Sequence, residues 1–202
     1  MTSYVANCLS RISEGIQIYK MKTMIINGSP RPNGNTSFLI STLKEELEGT
    51  ITEISAYDDN IRPCRDCRHC ATEKECAIPD DMRKIYCDDF DNFIIASPVY
   101  YGMLTGPMVS FASRLQIYHA AQPKKDSPRI LKPKKGVLIL TGGSKDNSQA
   151  ARNYSQAIFH ILNAKLHKDN IALVFGTDSI PAKDNEEACA KIREIALRIN
   201  EE

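Results

Sequence analysis

The sequence predicts a doubly wound α/β fold, and three observations predict it. Short apolar runs alternate with stretches of helical periodicity along the chain, the pattern of a parallel sheet linked by crossover helices. One run, Phe93-Ile94-Ile95-Ala96, is continuously apolar, as a strand covered on both faces requires. The first run passes into a glycine- and hydroxyl-rich turn that opens a helix, Ile25 to Leu39 reading I-I-N-G-S-P-R-P-N-G-N-T-S-F-L.

Element by element, strand one is expected over Thr23–Asn27 and helix one over Thr36–Glu48, with Phe38, Leu39, Ile40, Leu43 and Leu47 forming its buried face. Strand two is Ile51–Ala56. A long loop, Tyr57–Pro79, carries four cysteines; loops of that length inside a compact domain are usually functional. A short helix over Asp80–Cys87 leads to strand three, Asp91–Ala96, then the loop Ser97–Thr105. Helix Gly106–Tyr118 tolerates Pro107 in its first turn. A basic connection over residues 119–135 precedes strand four, Gly136–Leu140, and the loop Thr141–Asn147. Helix four spans Ser148–Leu166, strand five Asn170–Phe175 and helix five Asn185–Asn200. With strand one feeding the turn, the expected architecture is a flavodoxin-like three-layer sandwich whose five parallel strands run 2-1-3-4-5, with a ligand where strands one and three diverge. Residues 1–20 do not fit this pattern. They are read as an extension ahead of a single domain over residues 21–202, with a cysteine-rich insertion at 57–79.

The turn after strand one reads as an anion site. Ser29, Asn33, Asn35, Thr36 and Ser37 supply hydroxyl and amide groups, and Arg31 a cation. The helix that follows adds unpaired N–H groups and the positive end of its dipole. Gly34 is followed by Asn35 rather than lysine, so this is not a Walker loop. The Gly-x-Gly-x-x-Gly dinucleotide fingerprint is also missing from the stretch. A hydroxyl-rich cradle without lysine suits a static phosphate monoester.

Composition narrows the classes. At 202 residues, 42% hydrophobic and 25% charged, the chain suits one globular domain. The net charge of +1 argues against nucleic-acid and membrane-surface partners and against a small acidic electron shuttle. No apolar run approaches membrane-spanning length and no signal peptide is evident, so a cytoplasmic location is expected.

G-S-P-R-P-N-G-N-T-S, followed by S-P-V-Y-Y-G, resembles the NADPH-dependent FMN reductase family, specifically its iron–sulfur flavoprotein branch, over nearly everything from Met21 onward. In the expected topology three loops meet at the carboxyl edge of the sheet. The first is the phosphate cradle. The second offers Pro98, Val99, Tyr100, Tyr101 and Gly102, and the third Thr141, Gly142, Gly143 and Ser144. Together they suit a flat, polar-edged ring with a phosphorylated tail, namely FMN, with ring-edge amides placed for the flavin carbonyls and N5. Adjacent Tyr100 and Tyr101 cannot both face that ring.

Seven cysteines occur in all, and Cys64, Cys67, Cys70 and Cys76 follow a Cys-x2-Cys-x2-Cys-x5-Cys spacing. Thiolates at three-residue intervals wrap one face of a 4Fe–4S cubane and a fourth closes it. Zinc also accepts four thiolates, though usually from two separated knuckles, and a metal-free loop is the third reading. The compact motif resembles that of iron–sulfur flavoproteins. Arg62, Arg65 and Arg68 would offset cluster charge, whereas Cys8, Cys87 and Cys189 read as packed or incidental thiols and His69, inside the triplet, as solvent-facing in preference to a substitute ligand. Lys124, Lys125, Arg129, Lys132, Lys134 and Lys135 are read as a solvated loop, in preference to a site for the NADPH 2′-phosphate.

Three function classes compete. The first is an FMN-dependent NAD(P)H oxidoreductase that passes electrons to a 4Fe–4S cluster or an external acceptor. The others are a non-catalytic flavodoxin-type carrier and a zinc or iron–sulfur redox sensor. The first is preferred, because a carrier's acidic face and Thr/Ser-rich loop lacking a Pro-Arg pair are not found here. The resemblance further implies a homodimer or homotetramer whose pairing covers an exposed flavin.

Overall fold

The computed structural model describes residues 20–58, 60–73, 75–86, 90–120 and 131–201. The extension ahead of Lys20 lies outside the described residues, as do Cys8, Cys87, Lys124, Lys125 and Arg129. Six strands make the sheet: β1 (Lys22–Asn27), β2 (Thr50–Ser55), β3 (Asn92–Tyr100), β4 (Met103–Leu104), β5 (Lys134–Gly142) and β6 (Ala164–Phe175). Parallel neighbours run β2-β1-β3-β5-β6, while β4 folds back antiparallel on β3. The expected five strands in order 2-1-3-4-5 are therefore six, because a tight hairpin adds β4; the strands expected fourth and fifth are β5 and β6.

The helices are α1 (Asn35–Glu46), α2 (His69–Thr72), α3 (Arg83–Tyr86), α4 (Gly106–Ser113), α5 (Gln116–Ala120), α6 (Gln149–Ile161) and α7 (Glu186–Asn200), with a 3-10 turn at Ala182–Asp184. Strand alternation divides the core between the two faces of the sheet. Met24 and Ile26 join a cluster with Met108 and Phe111 of α4 and Phe159 of α6. Ile25 faces the other way, into a cluster with Leu39 and Leu43 of α1 and Ile192 and Ile195 of α7. The Phe93 ring sits 6.5 Å from Phe111 and 6.2 Å from Phe159 between centroids, and burying each such side chain is worth roughly 1.5–3 kcal/mol.

Three elements depart from expectation for tertiary reasons. Strand β3 runs on through Pro98 to Tyr100. Beyond Ala96 it has lost β1 as a neighbour: Pro98 stands opposite Thr141 of β5, and Val99 and Tyr100 then pair with β4; proline is tolerated where one flank of the strand is open. The helix expected over 106–118 is broken into α4 and α5 at Arg114 and Leu115, whose N–H groups bond the carbonyls of Phe111 and Ala112 three residues back. The helix expected to reach Leu166 ends at Ile161. Asn163 turns at φ 53°, and Ala164 to Leu166 pair with Lys134 to Gly136 of β5 before a register shift that the Asn170 amide bridges by donating to the Gly136 carbonyl.

The cysteine-bearing loop leaves β2 at Ser55, level with the end of β1, but the chain rejoins the sheet at Asn92, level with the start of β1. Only its beginning lies at the carboxyl edge, not both ends as a loop between two strand tips would have it. Among the described residues no helix is long and apolar enough to cross a membrane.

Candidate active site and cysteine cavity

At the carboxyl edge a cleft of about 340 Å³ opens between the loops after β1, β3, β5 and β6. Eleven of the fifteen expected cofactor contacts line it: Ser29, Arg31, Asn35, Thr36, Pro98, Val99, Tyr100, Thr141, Gly142, Gly143 and Ser144. Asn33, Ser37, Tyr101 and Gly102 do not. Pro30, Thr177 and Asp178 line it unforeseen; the one sequence signal for the last two was Gly176 directly after the strand. A larger cavity of about 760 Å³ lies at the opposite edge, where Lys134 and Lys135 donate to the Leu162 and Ile199 carbonyls at the ends of α6 and α7. It is remote from the strand ends where ligands of this architecture bind.

The hydroxyls of the cradle build its frame. Asn27 Oδ1 accepts from the Ser29 amide, Ser29 Oγ accepts from the Arg31 amide, and Ser37 Oγ donates to the Arg31 carbonyl at 2.8 Å. Thr36 and Thr141 share a hydroxyl–hydroxyl bond of 2.7 Å that joins α1 to the end of β5, and Asn35 Oδ1 accepts from the Ala182 amide. Ligand-facing donors are left to the backbone. No side chain caps α1 and its first turn has no acidic residue, so the opening N–H groups and the helix dipole favour an anion there. Gly28 allows the close approach of the turn to α4: a Cβ would stand 2.5 Å from Met108 Cγ. The Gly28 carbonyl accepts from Thr105 Oγ1 at the start of α4.

On the far side, the Gly142, Gly143 and Ser144 carbonyls accept from the Thr177, Asp178 and Gly176 amides, stitching two loops together. A Cβ on Gly143 would meet the Asp178 carboxylate at 2.3 Å. Asp146 accepts from the Ser148 hydroxyl and amide; those bonds, with Arg152 adding to them, hold its carboxyl below the usual range against the pull of burial. At the mouth Tyr101 is fully exposed with φ 51°, so of the adjacent tyrosines only Tyr100 lines the cleft.

The second feature is a cavity of about 290 Å³ lined by Cys64, Cys67, Cys70, Cys76 and, unforeseen, Arg114. Cys64 and Cys67 are exposed, Cys70 and Cys76 half-buried. Burial, and the neighbouring thiols of Cys76, Cys64 and Cys67, push the Cys70 thiol up; the His69 backbone amide and Arg65 draw the Cys67 thiol down. Among the described residues no group of three or more His, Cys, Asp or Glu is arranged to hold a metal ion. The donor set nonetheless suits a thiolate-ligated centre: four thiols around one cavity with a cation at its wall. Cys189 is buried and donates to the Ala182 carbonyl, as a packed thiol.

Arg62, Arg65 and Arg68 are exposed, and among the described residues lining the cysteine cavity the buried cation is Arg114. It pairs with Asp80, both side chains being fully buried, and donates to the Arg62 carbonyl at 2.8 Å and to Cys76 Sγ at 3.1 Å. Asp80 also accepts from the Arg62 and Met82 amides, closing the neck of the loop. Burial is the strongest single influence and opposes both charges, but it is outweighed by their mutual hydrogen bond together with the Arg62 and Met82 amides at Asp80 and with Tyr86 and Cys76 at Arg114, so the Asp80 pKa is lowered and that of Arg114 raised. The Cys64 amide donates to Ser113 Oγ, so α4 touches the cradle at its start and the cysteine loop at its end, roughly 12 Å of helix apart.

The family model described as NADPH-dependent FMN reductase matches residues 21–178. An iron–sulfur flavoprotein of Methanocaldococcus jannaschii is 33% identical over 134 residues, 64% of this chain and 66% of that protein's length. An iron–sulfur flavoprotein of Archaeoglobus fulgidus is 28% identical over 189 residues, 87% of this chain and 94% of that one. In fold, the NAD(P)H:quinone oxidoreductase of Methanothermobacter marburgensis superposes with a TM-score of 0.68 at 11% identity, over 91% of this chain and 99% of its own. The chain belongs to the NADPH-dependent FMN reductase family, a family of FMN-dependent oxidoreductases.

Proposed function

We propose that this protein is an NAD(P)H-dependent FMN oxidoreductase whose electrons leave through a 4Fe–4S cluster held by Cys64, Cys67, Cys70 and Cys76, or pass to an external acceptor. The observation that carries the reading is a cleft with an anion-accepting helix end and a four-cysteine cavity on the two ends of one helix, α4. The cradle residues Ser29–Ser37 bind the FMN phosphate, through the backbone at the start of α1 with Arg31 at the rim. Pro98 to Tyr100 and Thr141 to Ser144 hold the ring, and Thr36–Thr141 keeps the two sides in register. FMN supplies the hydride-accepting and single-electron chemistry, and an iron–sulfur cluster the one-electron outlet; the chain's own work is to bind, orient and shield. No side chain is assigned as general acid or base.

The exposed Tyr101 beside a half-open cleft supports a homodimer or homotetramer in which a second copy covers the flavin. A dimer or larger is expected in sedimentation at micromolar concentration; a 22.6 kDa monomer would count against it. Steady-state NADPH and NADH oxidation with an added one-electron acceptor tests the activity. Turnover that depends on FMN supports the reading, and an FMN-loaded protein inert toward both nicotinamides would return it to the carrier class.

A further inference from the structure

We propose that Arg114 is a positioning residue for the metal centre, holding Cys76 as the ligand fixed in advance and tuning the electrons at its sulfur. This rests on the iron–sulfur reading above. The four cysteines are not equivalent. Cys64 and Cys67 stand on exposed loop, whereas Cys76 takes a hydrogen bond from a guanidinium that is only 1% exposed. Tyr86 donates its hydroxyl to the Arg114 carbonyl at 3.2 Å, bracing the same residue from its backbone.

The rest of the guanidinium is spent on the loop's neck, at Asp80, at the Arg62 carbonyl and at the Ile78 carbonyl. Its Nε is buried beside the cysteine cavity and has no partner among the described residues. Only a planar fork with several donors can serve these acceptors together; an ammonium cannot. The break between α4 and α5 at this residue lets a single side chain reach both the neck and the sulfur. Because Asp80 also accepts from two backbone amides, its charge is shared; Nη1 serves Asp80 and the Arg62 carbonyl, and Nη2 is left to the Cys76 sulfur and the Ile78 carbonyl. Hydrogen bonds of this kind to ligating sulfur stabilise the more negative, reduced cluster and raise its potential.

The test uses full-length protein purified and assayed without oxygen. Iron per chain, iron release to a chelator and the cluster midpoint by EPR-monitored titration are compared between wild type, Arg114→Lys and Arg114→Met/Asp80→Asn, the last removing the buried pair as a unit. The expected result is a lower midpoint and at least tenfold faster iron release in both variants, with FMN content and flavin potential unchanged. Iron-loaded wild type alongside variants of unchanged midpoint and release would overturn the role of Arg114 while leaving the cluster standing. Wild type free of iron would overturn the cluster reading and this proposal with it. Should both variants fail to fold, double resonance on reduced protein bearing guanidino-15N arginine decides, with Arg62, Arg65 and Arg68 changed to lysine. A nitrogen coupling supports the contact, and its absence overturns it.

Discussion

At the carboxyl-edge cleft, loops leaving adjacent parallel strands converge, and the polar side chains there mainly hold backbone in place: Thr36 to Thr141, Asn35 to the Ala182 amide, Ser37 to the Arg31 carbonyl. The cysteine cavity is made differently. Its walls are irregular chain with left-handed residues at Asp66 and Arg68, completed by the short helices α2 and α5, and one buried ion pair, Arg114–Asp80, closes its neck. The contrast teaches that the cleft distributes its stability over many backbone contacts, whereas the cavity concentrates it in one pair. Damage to the two regions should therefore differ in kind: graded at the cleft, all or none at the cavity.

The largest expected effect follows from that concentration. Arg114→Ala strands a buried Asp80 carboxylate and should destabilise the protein by about 3–5 kcal/mol, read as a lower urea midpoint. A loss within about 0.5 kcal/mol, the range of ordinary surface substitutions, would erase the contrast. Next, the Asn35→Ala/Thr36→Ala double variant removes the bonds to the Ala182 amide and to Thr141 that frame the cradle and should weaken FMN binding about tenfold while remaining folded, since neutral hydrogen bonds of this kind are worth about 0.5–1.5 kcal/mol each. Unchanged flavin retention would take the phosphate out of this turn. Smaller again, Gly28→Ala drives a methyl against Met108 and Ser97; overpacking of this kind costs about 1–3 kcal/mol and should loosen FMN modestly. A variant as stable as wild type would mean that α4 yields to the turn.

The smallest effect is acid sensitivity. The folded-state pKa values of Asp80 and Asp146 are both depressed. Their stabilisation is therefore complete above the ordinary carboxyl value near pH 4 and is lost as pH falls through their lower folded values. Stability should decline below about pH 4, and less steeply in Arg114→Met/Asp80→Asn, where one depressed carboxyl is gone. Equal slopes for the two proteins would remove Asp80 from the acid response.

The cleft was legible in sequence because its determinants are local: glycine, proline and hydroxyl residues in one strand–turn–helix segment set both backbone and chemistry. Cys64, Cys67, Cys70 and Cys76 were legible as a set by spacing alone. What supports them was not. Arg114 lies 38 positions beyond Cys76, in a segment that reads as helix interior, and nothing in its neighbours marks it as buried. Thr177 and Asp178 reach the cleft only because β6 pairs with β5 in the observed register. The early start of β6 at Ala164 has the same origin, since pairing with Lys134 to Gly136 overrides the helical reading of Ala164 to Leu166. The unequal roles of Tyr100 and Tyr101 needed the hairpin to β4, which a run of aromatic and glycine residues does not disclose.

If one chain carries a flavin site and an iron–sulfur site joined by α4, both chromophores must be present together in the isolated protein. The most direct measurement is the absorption spectrum and metal content of anaerobically purified protein, wild type beside Cys67→Ser. Flavin bands superposed on broad iron–sulfur absorption are expected, with one FMN and about four irons per chain, and a Cys67→Ser protein should keep the flavin bands and lose the iron. Zinc in place of iron, or full activity in protein with FMN and no metal, would contradict it.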